Sequence, residues 1–134
     1  IEWDSILNWL NGNAKISTST STTTNIERKT MDESDLQTNS YSWGNYSDST
    51  GNAKTNSGSK QTTGKSEYWK ANNIYDIAGN VYEWTQEKWS TGAYRTSRGG
   101  SYRGDGGFYP AAGRYSCDES SNVIAVGFRA SFYL

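Results

Sequence analysis

Carboxylates are the side chains of this chain whose spacing could support catalysis. Asp76 with Glu83 and Asp118 with Glu119 form pairs of the kind used in general acid and base chemistry. Acid catalysis by such a pair needs an apolar pocket that raises one pKa, and nothing in the surrounding sequence supplies one. In a chain with 14 acidic residues, pairs at this spacing arise readily. We therefore interpret both pairs as structural.

Soft metal ligands are scarce in the sequence. Histidine is absent and Cys117 is the single cysteine, which excludes imidazole metal sites, His-dependent triads and an internal disulfide. One thiolate without a second soft ligand is a poor copper site. The Asp- and Asn-rich loops could hold a structural calcium ion through oxygen ligands, although EF-hand spacing is missing. The residues thus predict no catalytic site and no cofactor.

Aromatic residues must supply much of the core. Only 33% of the 134 residues are hydrophobic, but they include six Trp, ten Tyr and three Phe. Each ring can bury about 150–250 Å², so we expect one domain over residues 1–134 with long irregular loops. Because the sequence starts at Ile1 and not at Met, we expect it to be the C-terminal part of a longer chain.

Charge and hydropathy exclude two classes of partner. The formal net charge of −1 provides no basic surplus for binding phosphates. No stretch approaches the roughly 20 apolar residues of a transmembrane helix. We therefore predict that the chain neither binds nucleic acid nor inserts directly into a membrane.

Hydrophobic periodicity predicts one short helix and several strands. Trp3, Ile6, Leu7 and Leu10 have helical spacing, and Asn11-Gly12 follows as a stop signal. Strands are predicted in three places, by alternation, by β-prone composition or by flanking turn residues. They run from Val81 to Trp84 after a Gly79-Asn80 turn, from Tyr94 to Arg98, and from Val126 to Leu134. A helix followed by strands indicates the α+β class.

Four segments carry a family resemblance: IEWDSILNWL, SYSWGNYS, NNIYDIAGNVYEW, and RGGSY followed by GFR. Together they resemble the formylglycine-generating-enzyme-like (sulfatase-modifying factor) domains. The resemblance implies an α+β C-type-lectin fold with small antiparallel sheets, a short helix near the N-terminus and much irregular loop.

The motif residues have structural explanations. Glycines would provide sharp turns or room for bulky neighbours at Gly79, Gly99, Gly100 and Gly127. A planar guanidinium satisfies several acceptors at once. We therefore expect three arginines to bridge carbonyls or the carboxylates of Asp76 and Glu83, namely Arg98, Arg114 and Arg129.

The resemblance also allows the enzyme hypothesis to be tested. The formylglycine-generating enzymes hold copper through two cysteines just after the Arg-Gly-Gly-Ser strand, where this chain runs from Tyr102 to Phe108 without a cysteine. The related iron-dependent sulfoxide synthases need histidine ligands. We predict that the chain is not an enzyme, and an oxidoreductase of the formylglycine-generating type remains the least favoured alternative.

The tail from Gly99 to Leu134 has an unusual composition. All Lys, Trp, Gln and Met residues lie before Ser90. Apart from Glu119, every residue type in the tail can be encoded by a codon that ends in a pyrimidine, as expected when the adenines of AAY codons are randomised. The tail thus resembles the variable region of proteins diversified by retroelements, many of which use this same fold.

By that resemblance, five tail residues are scaffold: Tyr102, Gly106, Pro110, Arg114 and Gly127. The predicted contact residues lie between them: Ser101, Arg103, Gly104, Asp105, Phe108, Tyr109, Gly113, Tyr115, Ser116, Cys117, Asp118, Ser121, Val123, Ile124 and Ala125. Their mixture of aromatic and small polar residues is typical of antibody paratopes. Because aromatics and Arg dominate interface hot spots, we expect four anchors: Arg103, Phe108, Tyr109 and Tyr115.

The resulting hypothesis is a non-catalytic ligand-binding domain with a retroelement-diversified surface, displayed on a phage particle or a bacterial cell. Its partner would be a protein or a surface polymer. In one alternative the tail composition is accidental and its Tyr and Gly form a core strand and loops. In another the chain is a carbohydrate-binding lectin in which Trp43, Trp69 or Trp89 stacks on sugars.

Overall fold

A computed structural model of the protein describes residues 2–18, 26–49, 59–90, 93–118 and 124–130. Within these ranges the chain forms α1 (Glu2–Leu10), β1 (Lys15–Ser17), β2 (Arg28–Thr30), α2 (Glu33–Gln37), a 3-10 turn (Ser40–Ser42), a second 3-10 turn (Glu67–Trp69), β3 (Lys70–Ala71), β4 (Ile74–Tyr75), β5 (Tyr82–Lys88), β6 (Tyr94–Arg98), β7 (Tyr115–Asp118) and β8 (Val126–Gly127). Short helices with separate small sheets confirm the α+β class.

The strands form two small hairpin-like sheets and one larger sheet. β1 pairs with β2 and β3 pairs with β4, both antiparallel. The larger sheet has the strand order β7-β6-β5-β8, in which β8 runs parallel to β5. Small sheets were expected, but this parallel pair departs from the antiparallel expectation. Since β8 is separated from β5 by two other strands in the chain, no hairpin forces it to run antiparallel.

Two of the three predicted strands agree closely with the structure. β6 has the predicted bounds, and β5 begins one residue after the predicted start and continues to Lys88. The predicted strand from Val126 to Leu134 is wrong between Phe128 and Ala130, where the chain leaves the ladder after Gly127. The last four positions of that prediction lie outside the described residues.

Helix α1 packs an apolar stripe onto the core, as its spacing predicts. Trp3, Leu7 and Leu10 are buried, and the indole N–H of Trp3 donates to the carbonyl of Ala111 at 3.2 Å. Gly12 adopts φ +75° and ends the helical path. Among the described residues, neither α1 nor α2 has the length and apolar character required to cross a bilayer.

Aromatic rings fill the core. Trp43, Tyr46 and Trp69 are fully buried. The indole of Trp43 donates to the carbonyl of Asp35 at 3.2 Å, and the hydroxyl of Tyr46 donates to the carbonyl of Gly99 at 2.8 Å. A core short of aliphatic residues is thus closed by large rings whose polar ends are hydrogen-bonded.

The Gly79-Asn80 turn ties three segments together. Its Gly79 N–H donates to the carbonyl of Gly99 at 2.7 Å, and its Asn80 N–H donates to the carbonyl of Asn45 at 2.8 Å. The carbonyl of Asn80 accepts from Tyr102 N–H at 2.9 Å. Backbone bonds therefore join the Trp-Gly segment, the central motif and the Arg-Gly-Gly-Ser turn.

Arg129 fastens β8 to β5 in the predicted way. Its Nε donates to Glu83 at 2.9 Å, and its Nη2 donates to Glu83 at 2.5 Å and to the carbonyl of Tyr75 at 2.9 Å. Burial raises the pKa of Glu83, and the hydrogen bonds from Arg129 oppose that rise. One guanidinium thus satisfies a buried carboxylate and a carbonyl together.

Arg98 and Arg114 use a partner that the sequence did not indicate. Arg98 is fully buried, pairs with Asp4 and donates to the carbonyl of Ala112 at 2.6 Å. Arg114 donates to Asp4 at 2.7 Å and to Glu87 at 3.2 Å. The bond from Arg98 to a carbonyl was expected. The prediction that Arg98 and Arg114 pair with Asp76 or Glu83 was wrong. Asp4 instead holds helix α1 against the end of β6.

We expect Gly79→Ala to destabilise the fold much more than Gly12→Ala. Both glycines have left-handed φ values, +72° and +75°, so each substitution carries about 1–2 kcal/mol of backbone strain. A Cβ on Gly79 would also lie 2.7 Å from the backbone of Asn45, whereas a Cβ on Gly12 meets nothing within 4 Å. Overpacking should add about 1–3 kcal/mol at position 79.

Urea unfolding followed by circular dichroism measures both free energies of unfolding. Gly12→Ala serves as the matched control for backbone strain. Equal losses in the two variants would contradict the close approach of Gly79 to Asn45.

Candidate functional site

The loop between β6 and β7 is closed by its own hydrogen bonds. The Asp105 carboxylate accepts from Gly107 N–H at 2.8 Å and from Phe108 N–H at 2.9 Å. The Asp105 carbonyl accepts from Tyr109 N–H at 2.7 Å. This is an Asx-type turn, and it holds Phe108 and Tyr109 in defined positions. Asp105 therefore has a structural task in addition to its predicted contact role.

The same loop is pinned to the segment that follows α2. The Gly104 carbonyl accepts from the N–H and the hydroxyl of Ser47, both at 2.9 Å. The Gly106 N–H donates to the carboxylate of Asp48 at 2.8 Å. These bonds at Gly104 and Gly106 fix the loop to the rest of the fold, so the loop backbone has little conformational freedom.

Strand alternation decides which β7 side chains face together. Tyr115 pairs with Ser97 of β6, and Ser97 pairs with Trp84 of β5. Side chains two residues apart share a face, so Tyr82 and Cys117 lie on the same side of the sheet as Tyr115. This side carries the rings described next.

Four rings form what we call the aromatic cluster: Tyr82, Phe108, Tyr109 and Tyr115. The ring centroid of Tyr109 lies 5.0 Å from those of both Phe108 and Tyr115. That of Tyr82 lies 5.5 Å from Tyr115 and 6.3 Å from Tyr109. Inclined pairs at such distances contribute about 0.5–1.5 kcal/mol each beyond their buried area. Three predicted contact residues are thereby brought together.

The polar groups of the cluster are the hydroxyls of its tyrosines. The Tyr115 hydroxyl donates to the carbonyl of Phe108 at 3.1 Å. Burial, with a smaller contribution from Tyr109, raises the pKa of Tyr115 to about 12. Burial also raises the pKa of Tyr82. Both phenols therefore stay neutral at physiological pH and act as hydrogen-bonding groups.

Several other predicted contact residues lie at the surface. Phe108 is 75% exposed and Ile124 is 57% exposed, and Arg103, Asp105 and Ser116 are exposed as well. Large exposed apolar side chains beside a tyrosine cluster are typical of recognition surfaces.

Partial exposure is shared by a second set of predicted residues: Gly104, Tyr109, Gly113, Tyr115, Cys117 and Asp118. By strand alternation Ser116 and Asp118 project from the face of β7 opposite to Tyr115. The structure thus brings Gly104, Phe108, Tyr109 and Gly113 together with Tyr115. Cys117 shares the Tyr115 side of β7, whereas Ser116 and Asp118 project to the other side.

Two predicted contact residues are not at the surface. Ser101 and Ala125 are 2% and 4% exposed, and the Ala125 carbonyl accepts from Tyr82 N–H at 2.8 Å. Since both side chains are enclosed, the expectation that they contact a ligand is corrected. The predicted contacts Ser121 and Val123 lie outside the described residues.

The predicted scaffold positions are mostly enclosed. Tyr102, Gly106 and Pro110 are buried, and Gly127 is half-buried in β8. Arg114 is the exception, because about half of its side chain is exposed while it holds two carboxylates.

Tyr82 is the member of the cluster that the sequence reasoning missed. It belongs to the central motif, and its ring contacts Tyr109 and Tyr115 at the distances given above. The signal was present in the alternation of β5, because Glu83 is buried on one face and its neighbour must therefore point to the other.

The sugar-stacking alternative loses two of its three residues. Trp43 and Trp69 are both 0% exposed, so neither ring can stack on a sugar. Their large apolar faces pack in the core instead. Trp89 is half-buried.

Comparison with known proteins decides the family. The family model of the Sulfatase-modifying factor enzyme 1-like domain matches residues 17–131. The chain belongs to this family. This confirms the resemblance and the C-type-lectin fold that it implies; three of the four segments lie within the match, and IEWDSILNWL precedes it.

Two further comparisons concern individual proteins. No curated protein matches this sulfatase-modifying-factor-like domain. Among solved structures, Treponema denticola variable protein 1 is similar at 20% identity with a TM-score of 0.48. The alignment covers 69% of this chain and 38% of that chain, so the domain spans well under half of that protein's length.

Family membership implies a copper site, and the residues of this domain do not fit one. Cys117 is the single cysteine, it is half-buried on β7, and its Sγ lies 3.6 Å from the hydroxyl of Ser97. No second thiol exists to complete a two-cysteine site. In the part of the chain that the structure describes, no three His, Cys, Asp or Glu residues come together in a metal-binding group.

We expect alkaline titration to show Tyr115 ionising late. Its folded pKa of about 12 exceeds the value of about 10 in an unfolded chain. The raised pKa means that its contribution to stability is complete below pH about 10 and is lost as pH rises towards 12. Tyrosinate absorbance at 295 nm, recorded against pH, measures the ionisation.

Tyr115→Phe should remove one tyrosine from the late part of the folded titration. In urea the parent should titrate in one step near pH 10. If the variant instead lost amplitude near pH 10 while folded, the placement of Tyr115 in the cluster would be wrong.

Proposed function

We propose that this domain is a non-catalytic ligand-binding module whose aromatic cluster and adjoining loop form a retroelement-diversified recognition surface. The proposed contacts are the outward residues of the tail together with one residue of the central motif: Arg103, Gly104, Asp105, Phe108, Tyr109, Gly113, Tyr115, Cys117 and Tyr82. The exposed Ile124 would extend the surface, whereas Ser116 and Asp118 project from the opposite face of β7 and are not among the proposed contacts.

The observation that carries this proposal is that the tail divides into two sets of residues. The enclosed residues, with the backbone bonds that hold them, are called the frame, and the proposed contact residues named above are called the face. Gly99, Gly100 and Tyr102 are buried, while three large side chains from the same tail meet in one cluster, namely Phe108, Tyr109 and Tyr115. Most residues that we propose to vary therefore lie where an exchange would alter a surface and leave the frame intact, whereas Ser101 and Ala125 are enclosed.

The chemistry of the surface suits non-covalent recognition. Tyrosine rings give a large contact area with little loss of conformational entropy, and Ser, Gly and Asp adapt their hydrogen bonds. The loop is held by Ser47 and Asp48 before any ligand arrives. Such preorganisation reduces the entropic cost of binding, so specificity can change with side chains alone.

Catalysis is disfavoured by the residues themselves. The copper ligands of the formylglycine-generating enzymes have no equivalent in a chain with one cysteine, and histidine is absent from the sequence. The partner we propose is a protein or a surface polymer, and the setting we propose is a phage particle or a bacterial cell surface.

A display library tests the proposal. We expect that randomising Arg103, Phe108, Tyr109 and Tyr115 yields folded clones, because the frame bonds do not use these side chains except for the Tyr115 hydroxyl. Selection on immobilised lysozyme, serum albumin and ubiquitin should enrich a different sequence set on each protein. Protease resistance of the displayed clones measures folding, and biolayer interferometry measures binding.

The matched control library randomises four enclosed positions of the same tail: Gly100, Tyr102, Gly106 and Ala111. Most of its clones should lose protease resistance, because these side chains or their close neighbours are buried. The proposed function would be contradicted if the first library gave folded clones of which none bound any of the three proteins. It would also be contradicted if the same fraction of clones stayed protease-resistant in the two libraries.

A further inference from the structure

We infer that Gly104 and Gly113 are specificity-determining positions that act by setting where the rings of Tyr109 and Tyr115 lie. The residue at each glycine position would then determine the position of one ring: Gly104 that of Tyr109, and Gly113 that of Tyr115. This inference rests on the proposed function, because specificity requires that the cluster binds a ligand. Its physical part, the coupling, concerns the domain alone.

Both glycines lie directly against a ring of the cluster. A Cβ on Gly104 would lie 2.9 Å from Cδ2 and 3.3 Å from Cγ of Tyr109. A Cβ on Gly113 would contact the Tyr115 hydroxyl and lie 2.5 Å from its Cζ and 2.6 Å from its Cε2. These distances are shorter than van der Waals contact, so any other residue at either position must displace the ring.

Gly100 and Gly106, the other two glycines of the tail on which a Cβ would be overcrowded, lie against backbone; Gly100 also lies against the buried ring of Tyr46, whose hydroxyl is held by the carbonyl of Gly99. A Cβ on Gly106 would lie 2.6 Å from the backbone nitrogen of Tyr41. Gly100 has φ +75°, and a Cβ on it would run into the carbonyl oxygen of Tyr109. Backbone held in the frame cannot move aside, whereas a tyrosine ring can change rotamer. Gly104 and Gly113 also lack a positive φ, so their backbone accepts other residues.

Displacing one ring would alter more than one contact. When the Tyr115 ring moves, its hydroxyl leaves the Phe108 carbonyl, now 3.1 Å away, and its ring leaves Tyr82 and Tyr109. A substitution at Gly113 would therefore rearrange the centre of the surface in addition to changing its own proposed contact. Because both positions are glycine in this sequence, the rings of Tyr109 and Tyr115 can lie where the structure places them.

A ligand-free double-mutant cycle tests the coupling. The four proteins are the parent, Gly113→Ala, Tyr115→Ala and the double variant. We expect Gly113→Ala to lower the urea midpoint in the parent, where the new Cβ meets the Tyr115 ring. The midpoint should change little in the Tyr115→Ala background, where that ring is absent. Because the backbone effect of alanine is common to both backgrounds, the difference between the two shifts measures the ring contact. A second cycle with Gly104→Ala and Tyr109→Ala should behave alike.

Gly107→Ala is the matched control, since Gly107 is exposed and its nearest contacts are Asp105 and Thr38, with no ring. Its shift in urea midpoint should be the same in the parent and in the Tyr115→Ala background. Aromatic NMR provides a second readout: Gly113→Ala should shift the ring resonances of Tyr115 and Tyr82, and Gly107→Ala should not. Equal midpoint shifts for Gly113→Ala in both backgrounds, or unmoved Tyr115 resonances, would overturn the inference.

The two proposals fail in different experiments. If the cycles are additive but the face library yields binders, the coupling is wrong and the binding surface stands. If the cycles show coupling but no library clone binds, the rings are coupled and the proposed function is wrong.

Discussion

The carbonyl oxygen of Gly99 is the point on which the rest of the structure depends. It accepts from the hydroxyl of Tyr46 at 2.8 Å and from the N–H of Gly79 at 2.7 Å. These bonds join the Trp-Gly segment, the central motif and the end of β6. Because an unpaired buried carbonyl is costly, the three segments keep one arrangement. The loop that follows starts from this fixed point and is fastened again at Ser47 and Asp48.

The fixed loop explains how side chains can change while the fold persists. The bonds that fasten it run between backbone groups or come from residues before the tail, so they do not depend on Arg103, Phe108 or Tyr109. Asp105 differs, because its carboxylate closes the turn through two backbone amides. Exchange at this position would loosen the loop as well as change the surface. The proposed binding and the stability of the domain are thus separable at most positions of the face, though not at all of them.

Sequence reasoning predicted what depends on local spacing and on motif. The helix around Trp3 and Leu7, strand β6, the aromatic core and the Arg129–Glu83 pair all follow from such patterns. The pairing of Asp4 with Arg98 could not be predicted, since the two residues are 94 positions apart and no local signal relates them. Burial of Ser101 and Ala125 also escaped prediction, because small residues are compatible with both the surface and the interior. Tyr82 was hidden within a scaffold motif, although the alternation of β5 indicated its outward direction.

We propose that variation in this domain falls on side chains that, apart from Asp105 and the Tyr115 hydroxyl, lie outside the hydrogen-bonded frame. Sequencing the DNA that flanks the gene in its source genome tests this most directly. We expect a near-copy of the codons for Gly99 to Leu134 beside a reverse transcriptase gene, with differences at adenines of the copy and in codons for face residues such as Tyr109 and Tyr115. Absence of such a copy, or differences concentrated in codons for Gly99, Gly100 and Gly106, would contradict the claim.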